Sequence, residues 1–184
     1  MPRHVVLLRG VNVGKGNRVP MAEFRGLLEE LGHSDVKTLL NSGNAVYSAT
    51  AGGDADSHAK LIAEALKQRF EVTTPVVVKA AAEFLAIAQG CPVTPPESEH
   101  SRFMVVFSSD PARLLELEAL RALLLPGEQL FITPQAAYLH CAHGVLESKA
   151  GAALVGKAGR SLTTRNWATV QKIAALCLGP VSPR

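Results

Sequence analysis

The sequence predicts an α+β protein built from two similar halves, and three observations predict it. Short runs rich in valine and leucine read as strands, and they alternate with stretches whose apolar residues recur at three-and-four spacing and read as helices. Residues 1–80 arrange these as strand, helix, two strands, helix, strand. From residue 102 a strand–helix–strand–strand–helix series begins again, echoing the first in element order without a sequence repeat.

The elements follow in order. "HVVLLRG" is an apolar run closed by a glycine, the pattern of a buried strand. "VPMAEFRGLLEELG" is a helix: Met21, Phe24, Leu27, Leu28 and Leu31 share one face, Pro20 suits the first turn and Gly32 the position past the end. "DVKTLL" and "NAVYSAT" are strands around the turn cluster Asn41-Ser42-Gly43-Asn44, hence a hairpin. "ATAGGDAD" reads as an exposed loop. "SHAKLIAEALKQRF" is a second helix, with Ala59, Ile62, Ala63, Leu66 and Phe70 aligned, and "PVVVK" is a fourth strand. This βαββαβ order is the split-βαβ, ferredoxin-like arrangement.

A connecting helix, "AAAEFLAIAQG", and a proline-rich linker, "CPVTPPESEH", fill residues 81–101. The second half, 102–184, opens with the strand "RFMVVFS". The helix "DPARLLELEALRALLLPG" follows, with Asp110 as cap and Pro111 at its first position. "QLFIT" and "AYLHCA" are strands joined by "PQA", and "GVLESKAGAALVG" and "NWATVQKIAALCL" are helices. The fold class is thus α+β, two ferredoxin-like halves packed as one compact unit.

Bulk composition excludes several classes. In a chain of 184 residues, 47% hydrophobic and 19% charged residues exclude a disordered polymer. No apolar run approaches the roughly 20 residues of a membrane span. The N-terminal run ends at Arg9 without the length or cleavage site of a signal peptide, so a cytoplasmic location is expected. Cys91, Cys141 and Cys177 are scattered, with no CxxC pair, and read as buried thiols. A net charge of +3 is too small to imply nucleic acid.

Three stretches carry polar chemistry. In "LLRGVNVGKGNRVPM", residues 7–21, Gly10 and Gly14-Lys15 are one residue too close for a P-loop, and Gly16 stands where its hydroxyl residue would be. The dinucleotide fingerprint GxGxxG is missing as well. The ingredients of an anion site remain: glycines that let a ligand approach the backbone, Lys15 and Arg18 beside them, Arg9 upstream and a helix N-terminus downstream. The plain alternative is a strand-to-helix turn with solvated basic residues. "SLTTRNW", residues 161–167, is read as opening the last helix, with Thr163 or Thr164 as N-cap. Arg165 then faces the positive end of the helix dipole and needs an anion or carboxylate. Trp167, the single tryptophan, is a core residue or a flat surface beside a ligand.

In "HGVLESK", Ser148 and Lys149 are adjacent and a lysine can activate a serine, but neighbours on a helix point apart. His140, Cys141 and His143 do not make a metal set, because His140 and Cys141 alternate across a strand. No Ser-His-Asp or Cys-His arrangement and no pair of acid-base carboxylates is found, and no cofactor is read from the sequence.

"LLRGVNVGKGNRVPM", "NSGNAVYS" and "TTRNWATV" together, in this order, resemble the bacterial family called domain of unknown function 1697. The resemblance implies two ferredoxin-like halves in one unit and supplies no activity. It marks Arg9, Gly10, Asn12, Gly14, Asn17, Val19, Pro20 and Met21 in the first block and Ser42, Gly43 and Asn44 in the second. Thr164, Arg165, Asn166 and Trp167 are marked in the third, with Ser148 and Lys149 besides. Where the family more often has two adjacent glycines before the basic residue, Lys15 here sits between Gly14 and Gly16.

Many of these positions are polar loop residues, which favours a site over packing. The expectation is a small anionic, phosphate-containing ligand held between the halves. Arg9 and Arg165 would give bidentate contacts, Gly14, Lys15, Arg18, Thr164 and Trp167 would complete the pocket, and Asn12, Ser42, Asn44 and Asn166 would set orientation. One alternative is an enzyme using the same anion site with Ser148 and Lys149. Another is a nucleic-acid or protein-interaction module. With 5% aromatics and none of the exposed ring pattern of RNA-binding sheets, nucleic acid is not the expected partner. A structural alternative has Asn12, Asn44 and Asn166 bonding loop backbone, and Arg9 and Arg165 paired with Glu23, Glu147 or another acid.

Overall fold

A computed structural model describes residues 1–49 and 52–179. The expected loop over residues 49–56 therefore lies partly outside the described residues, at Thr50 and Ala51. The chain divides into two units. Among the described residues, one is Met1–Ala86 together with 172–179, and the other is Ile87–Gln171. The end of the last helix thus groups with the first unit, whereas the sequence reading keeps residues 102–184 together.

In the first unit, β1 (Arg3–Leu8), β2 (Ser34–Leu39), β3 (Asn44–Ser48) and β4 (Val76–Ala80) form an antiparallel sheet in the order β2-β3-β1-β4. Helices α1 (Met21–Glu30) and α2 (Ala55–Phe70) connect the strands. β1 is central and buried on both faces from His4 to Leu8, as its unbroken apolar run requires. β2, at the edge, alternates between exposed and half-buried positions over its first four residues. Phe24, Leu27 and Leu28 of α1 and Ile62 and Leu66 of α2 pack on Val6, Leu8 and Tyr47. Asp54 caps α2 by accepting from the Ser57 N–H at 2.8 Å.

The second unit repeats the plan. β5 (Phe103–Phe107), β6 (Gln129–Ile132), β7 (Ala137–His140) and β8 (Thr163–Asn166) lie in the order β6-β7-β5-β8, all antiparallel. α3 (Ala81–Gln89) precedes this sheet, α4 (Pro111–Leu115) and α5 (Lys149–Val155) connect its strands, and α6 (Trp167–Leu178) follows. The shared α+β architecture of two four-stranded halves is as expected.

Two local expectations are corrected. Residues 163–166 do not open α6; they are the strand β8, paired with β5 from Met104↔Asn166 to Phe107↔Thr163. The cap of α6 is Asn166, whose Oδ1 accepts from the Thr169 N–H at 3.0 Å, rather than Thr163 or Thr164. A four-residue polar strand running straight into a helix leaves little periodic signal, and its alternating burial is visible only once it is paired. The helix expected over 110–127 is α only as far as Leu115 and then tightens to a 3-10 helix over Glu116–Leu123. Leu114, Leu117 and Leu120 are all buried, and their spacing of three fits three residues per turn. Asp110 does cap this segment, accepting from Ala112 N–H at 2.9 Å, with Pro111 first in the helix.

Candidate functional site

The loop between β1 and α1 is a fixed structure. Asn12 sits in the left-handed region and uses its side chain as a peptide would use its backbone. Its Oδ1 accepts from the Val19 N–H at 2.9 Å, and its Nδ2 donates to the Val19 carbonyl at 2.8 Å. The same Nδ2 donates to the Asn41 carbonyl, also at 2.8 Å, and so joins the loop to the β2–β3 turn. The Asn12 N–H donates to the Asn17 carbonyl at 2.9 Å, closing the loop on itself. Gly10, Gly14 and Asn17 are left-handed as well. Thr74 Oγ1 donates to the Arg9 carbonyl, and the Arg9 N–H donates to the Pro75 carbonyl at 3.2 Å, so the start of the loop is tied to the residues leading into β4.

The structure thus brings the first two sequence blocks together. Leu8 N–H donates to the Gly43 carbonyl at 2.8 Å. A Cβ on Gly43, whose φ is +81°, would lie 2.7 Å from both Leu8 Cβ and Val11 Cγ2, so only glycine fits that turn. Asn44 is buried, and its Nδ2 donates to the Leu39 carbonyl at 2.8 Å and to Ser42 Oγ at 2.9 Å. Around this frame Gly14, Lys15, Gly16 and Arg18 are exposed, while Arg9 is half-buried. Burial lowers the Arg9 guanidinium from its ordinary value. Lys15 and Arg18 make no side-chain hydrogen bond or ion pair with the described residues.

In the second unit the remaining candidates play other parts. Arg165 lies in β8 opposite Val105 and is 7% exposed. One of its nitrogens donates to Thr163 Oγ1 at 2.8 Å and to the Thr164 carbonyl at 2.7 Å. Burial pushes this guanidinium down to about 10. Thr164 is half-buried on the same strand, and Trp167 is buried with its ring edge-on to Phe103 at 5.8 Å. Ser148 is 0% exposed and caps α5, its Oγ accepting from the Gly151 N–H at 3.0 Å, while Lys149 is exposed. His140 pairs with Glu99, Cys141 is buried, and His143 bonds the Pro126 carbonyl. Among the described residues no three His, Cys, Asp or Glu side chains gather to hold a metal.

Two clusters escaped the sequence reading. His4, His33 and His58 are buried and stack with Tyr47, His4 on His58 at 4.8 Å and His33 on Tyr47 at 4.3 Å between centroids. Tyr47 Oη and His58 Nδ1 share a hydrogen bond of 3.1 Å. The available signal was phase: His4 shares the strand face of Val6 and Leu8, and His58 lies one turn before Ile62. The second cluster is the Glu99–His140 pair, 41 residues apart in sequence, for which no local pattern exists.

The fold is similar to that of a conserved bacterial protein from Streptococcus pneumoniae, with a TM-score of 0.71 and 24% identity, over 96% of this chain and 98% of that one. No curated protein is matched. No helix among the described residues is long and apolar enough to cross a membrane. The family described as "Protein of unknown function (DUF1697)" matches residues 1–138, which hold the glycine loop and the hairpin turn but not residues 148–149 or 164–167. With the match spanning 138 of 184 residues, the chain belongs to the DUF1697 family.

Proposed function

We propose that the protein binds a small anionic, phosphate-containing ligand on the loop from Arg9 to Arg18. The observation that supports this reading is the loop's construction. Asn12 fixes the backbone through Val19 and Asn41, and Lys15 and Arg18 remain exposed on the fixed frame with no internal partner. Positive φ recurs at 10, 12, 14 and 17, and left-handed residues alternating with right-handed ones can turn peptide N–H groups toward an anion. Two cations beside such a backbone add charge where a phosphate would sit. Ser42 and Asn44 hold the neighbouring turn. Arg165 has no part in this reading, since its guanidinium is buried against its own strand.

The test is thermal unfolding of the protein in the presence of inorganic phosphate, nucleotides and sugar phosphates, with Lys15→Ala/Arg18→Ala alongside. A ligand at a hundred times its dissociation constant stabilises by about 2.7 kcal/mol. For a chain of this size that is a rise of roughly 5 to 10 °C. The rise should vanish in the double variant, whose own midpoint should be unchanged because neither side chain is bonded internally. A rise that survives the double variant, or none with any phosphate compound, would overturn the reading.

A further inference from the structure

The second sheet carries a cavity of about 150 Å³ that lies wholly within the second unit. One wall is a row of three residues abreast across the sheet. Gln129 of β6 pairs with His140 of β7, which pairs with Phe103 of β5. Directly opposed residues share a face. The neighbouring row, Leu130, Leu139 and Met104, belongs to the core on the opposite face, so the cavity row looks away from that core. The other wall is the segment Val93, Thr94, Pro95, Pro96 and Glu99.

This second wall is rigid. Two consecutive prolines fix its backbone. The Pro95 carbonyl is bonded by His100 Nε2 at 3.1 Å, and the Glu99 N–H donates to the Pro96 carbonyl at 2.9 Å. The cavity is therefore preformed rather than opened by a loop.

The walls are apolar at Val93, Pro95, Pro96 and Phe103 and polar at Thr94 and Gln129, with the charged pair Glu99–His140 set into them. His140 Nε2 lies 2.9 Å from Glu99 Oε2, with side-chain exposures of 21% and 26%. Arg102 stands 3.7 Å from the other carboxylate oxygen. The His140 hydrogen bond, then the Arg102 charge, hold Glu99 below the usual carboxylate range. An ionised carboxylate only accepts, so the proton on Nε2 is fixed by Glu99. In the neutral imidazole Nδ1 is then an acceptor, and it has no partner among the described residues.

We propose that this cavity binds a small ligand with an apolar body and a single hydroxyl or N–H donor, the donor being accepted by Nδ1 of His140. Glu99 acts as the positioning residue: it selects the tautomer that accepts. The class is neutral and phenol-like, distinct from the anion assigned to the glycine loop, and the two sites share no residue.

The test uses ligand-observed NMR titration at pH 8 with three probes of similar size: phenol, benzene and methoxybenzene. Phenol should bind about two- to twelvefold more tightly than the other two, the range one net hydrogen bond supplies. His140→Phe should remove that preference while leaving benzene binding. Gln129→Trp, at the exposed start of β6 beside His140, should fill the cavity and block all three probes. Long-range 15N spectra of the wild-type protein should show the His140 Nδ1 resonance moving with phenol and not with benzene. Equal binding of the three probes, a phenol preference that persists in His140→Phe, or no phenol binding at millimolar concentration would each overturn the proposal.

Discussion

Asn12 ties its loop to the approach to α1 and to the β2–β3 turn. Its side chain makes three hydrogen bonds to two separate segments, and its backbone is left-handed, a region where asparagine is tolerated and alanine is strained. Asn12→Ala should therefore lower unfolding stability by about 2 to 4 kcal/mol, summing lost hydrogen bonds and backbone strain. Urea denaturation measures this, and a loss under about 0.5 kcal/mol would contradict the role assigned to the residue. The sequence left Asn12 open between orienting a ligand and bonding loop backbone. Which carbonyls it reaches was not legible, because Asn41 is 29 residues away and only the folded hairpin turn delivers it. Arg165 is a residue whose surroundings local sequence does not reveal. Its charge marked it as a ligand contact, yet alternation along β8 turns it inward, where Thr163 and Thr164 receive it.

Among the elements, those with an apolar pattern were legible, the four-residue strands β6 and β7 included, and the polar strand β8 was not. α1, α2 and the strands β1 to β4 follow directly from apolar spacing, since each repeats its signal over several residues. β8 does not, and its recognition moves the start of α6 from Thr163 or Thr164 to Asn166. The two assignments make different predictions. Asn166→Ala should destabilise by about 1 kcal/mol, as for other lost caps, and should speed amide hydrogen exchange at Thr169. Thr164→Ala should leave the Thr169 amide unchanged. Equal acceleration in both variants would argue against the Asn166 cap. The split of the 110–123 segment has the same lesson. The segment was expected to be one helix, whereas its buried leucines at 114, 117 and 120 follow a spacing of three that fits the 3-10 period.

At the scale of the whole molecule, the histidine stack makes stability depend on pH. His4 and His33 are lowered, first by burial and then by their histidine neighbours, His58 foremost. Around them stand Tyr47 from β3 and Ser34 at the head of β2, with Asp54 and Lys60 flanking His58 on α2. Because their folded values lie below the unfolded value near 6.5, the unfolded chain binds more protons once the pH falls below 6.5. Stability is thus fully present above that pH and is lost as the pH falls through the folded values. The Nδ1 atoms of both rings are buried without a hydrogen-bond partner among the described residues, and only the Pro2 backbone beside His4 opposes the lowering. Urea midpoints should fall between pH 7 and pH 5, and His4→Phe/His33→Phe should flatten that slope; a slope unchanged in the double variant would place the dependence elsewhere. The strand orders β2-β3-β1-β4 and β6-β7-β5-β8 bear on synthesis too. In each half the strand made first is an inner one. β1 leaves the ribosome well before its neighbours at residues 44–48 and 76–80, and β5 precedes 137–140 and 163–166 in the same way. A nascent chain halted before residue 76 carries an apolar strand with one edge unpaired, so each half is exposed to misassociation until its fourth strand is translated.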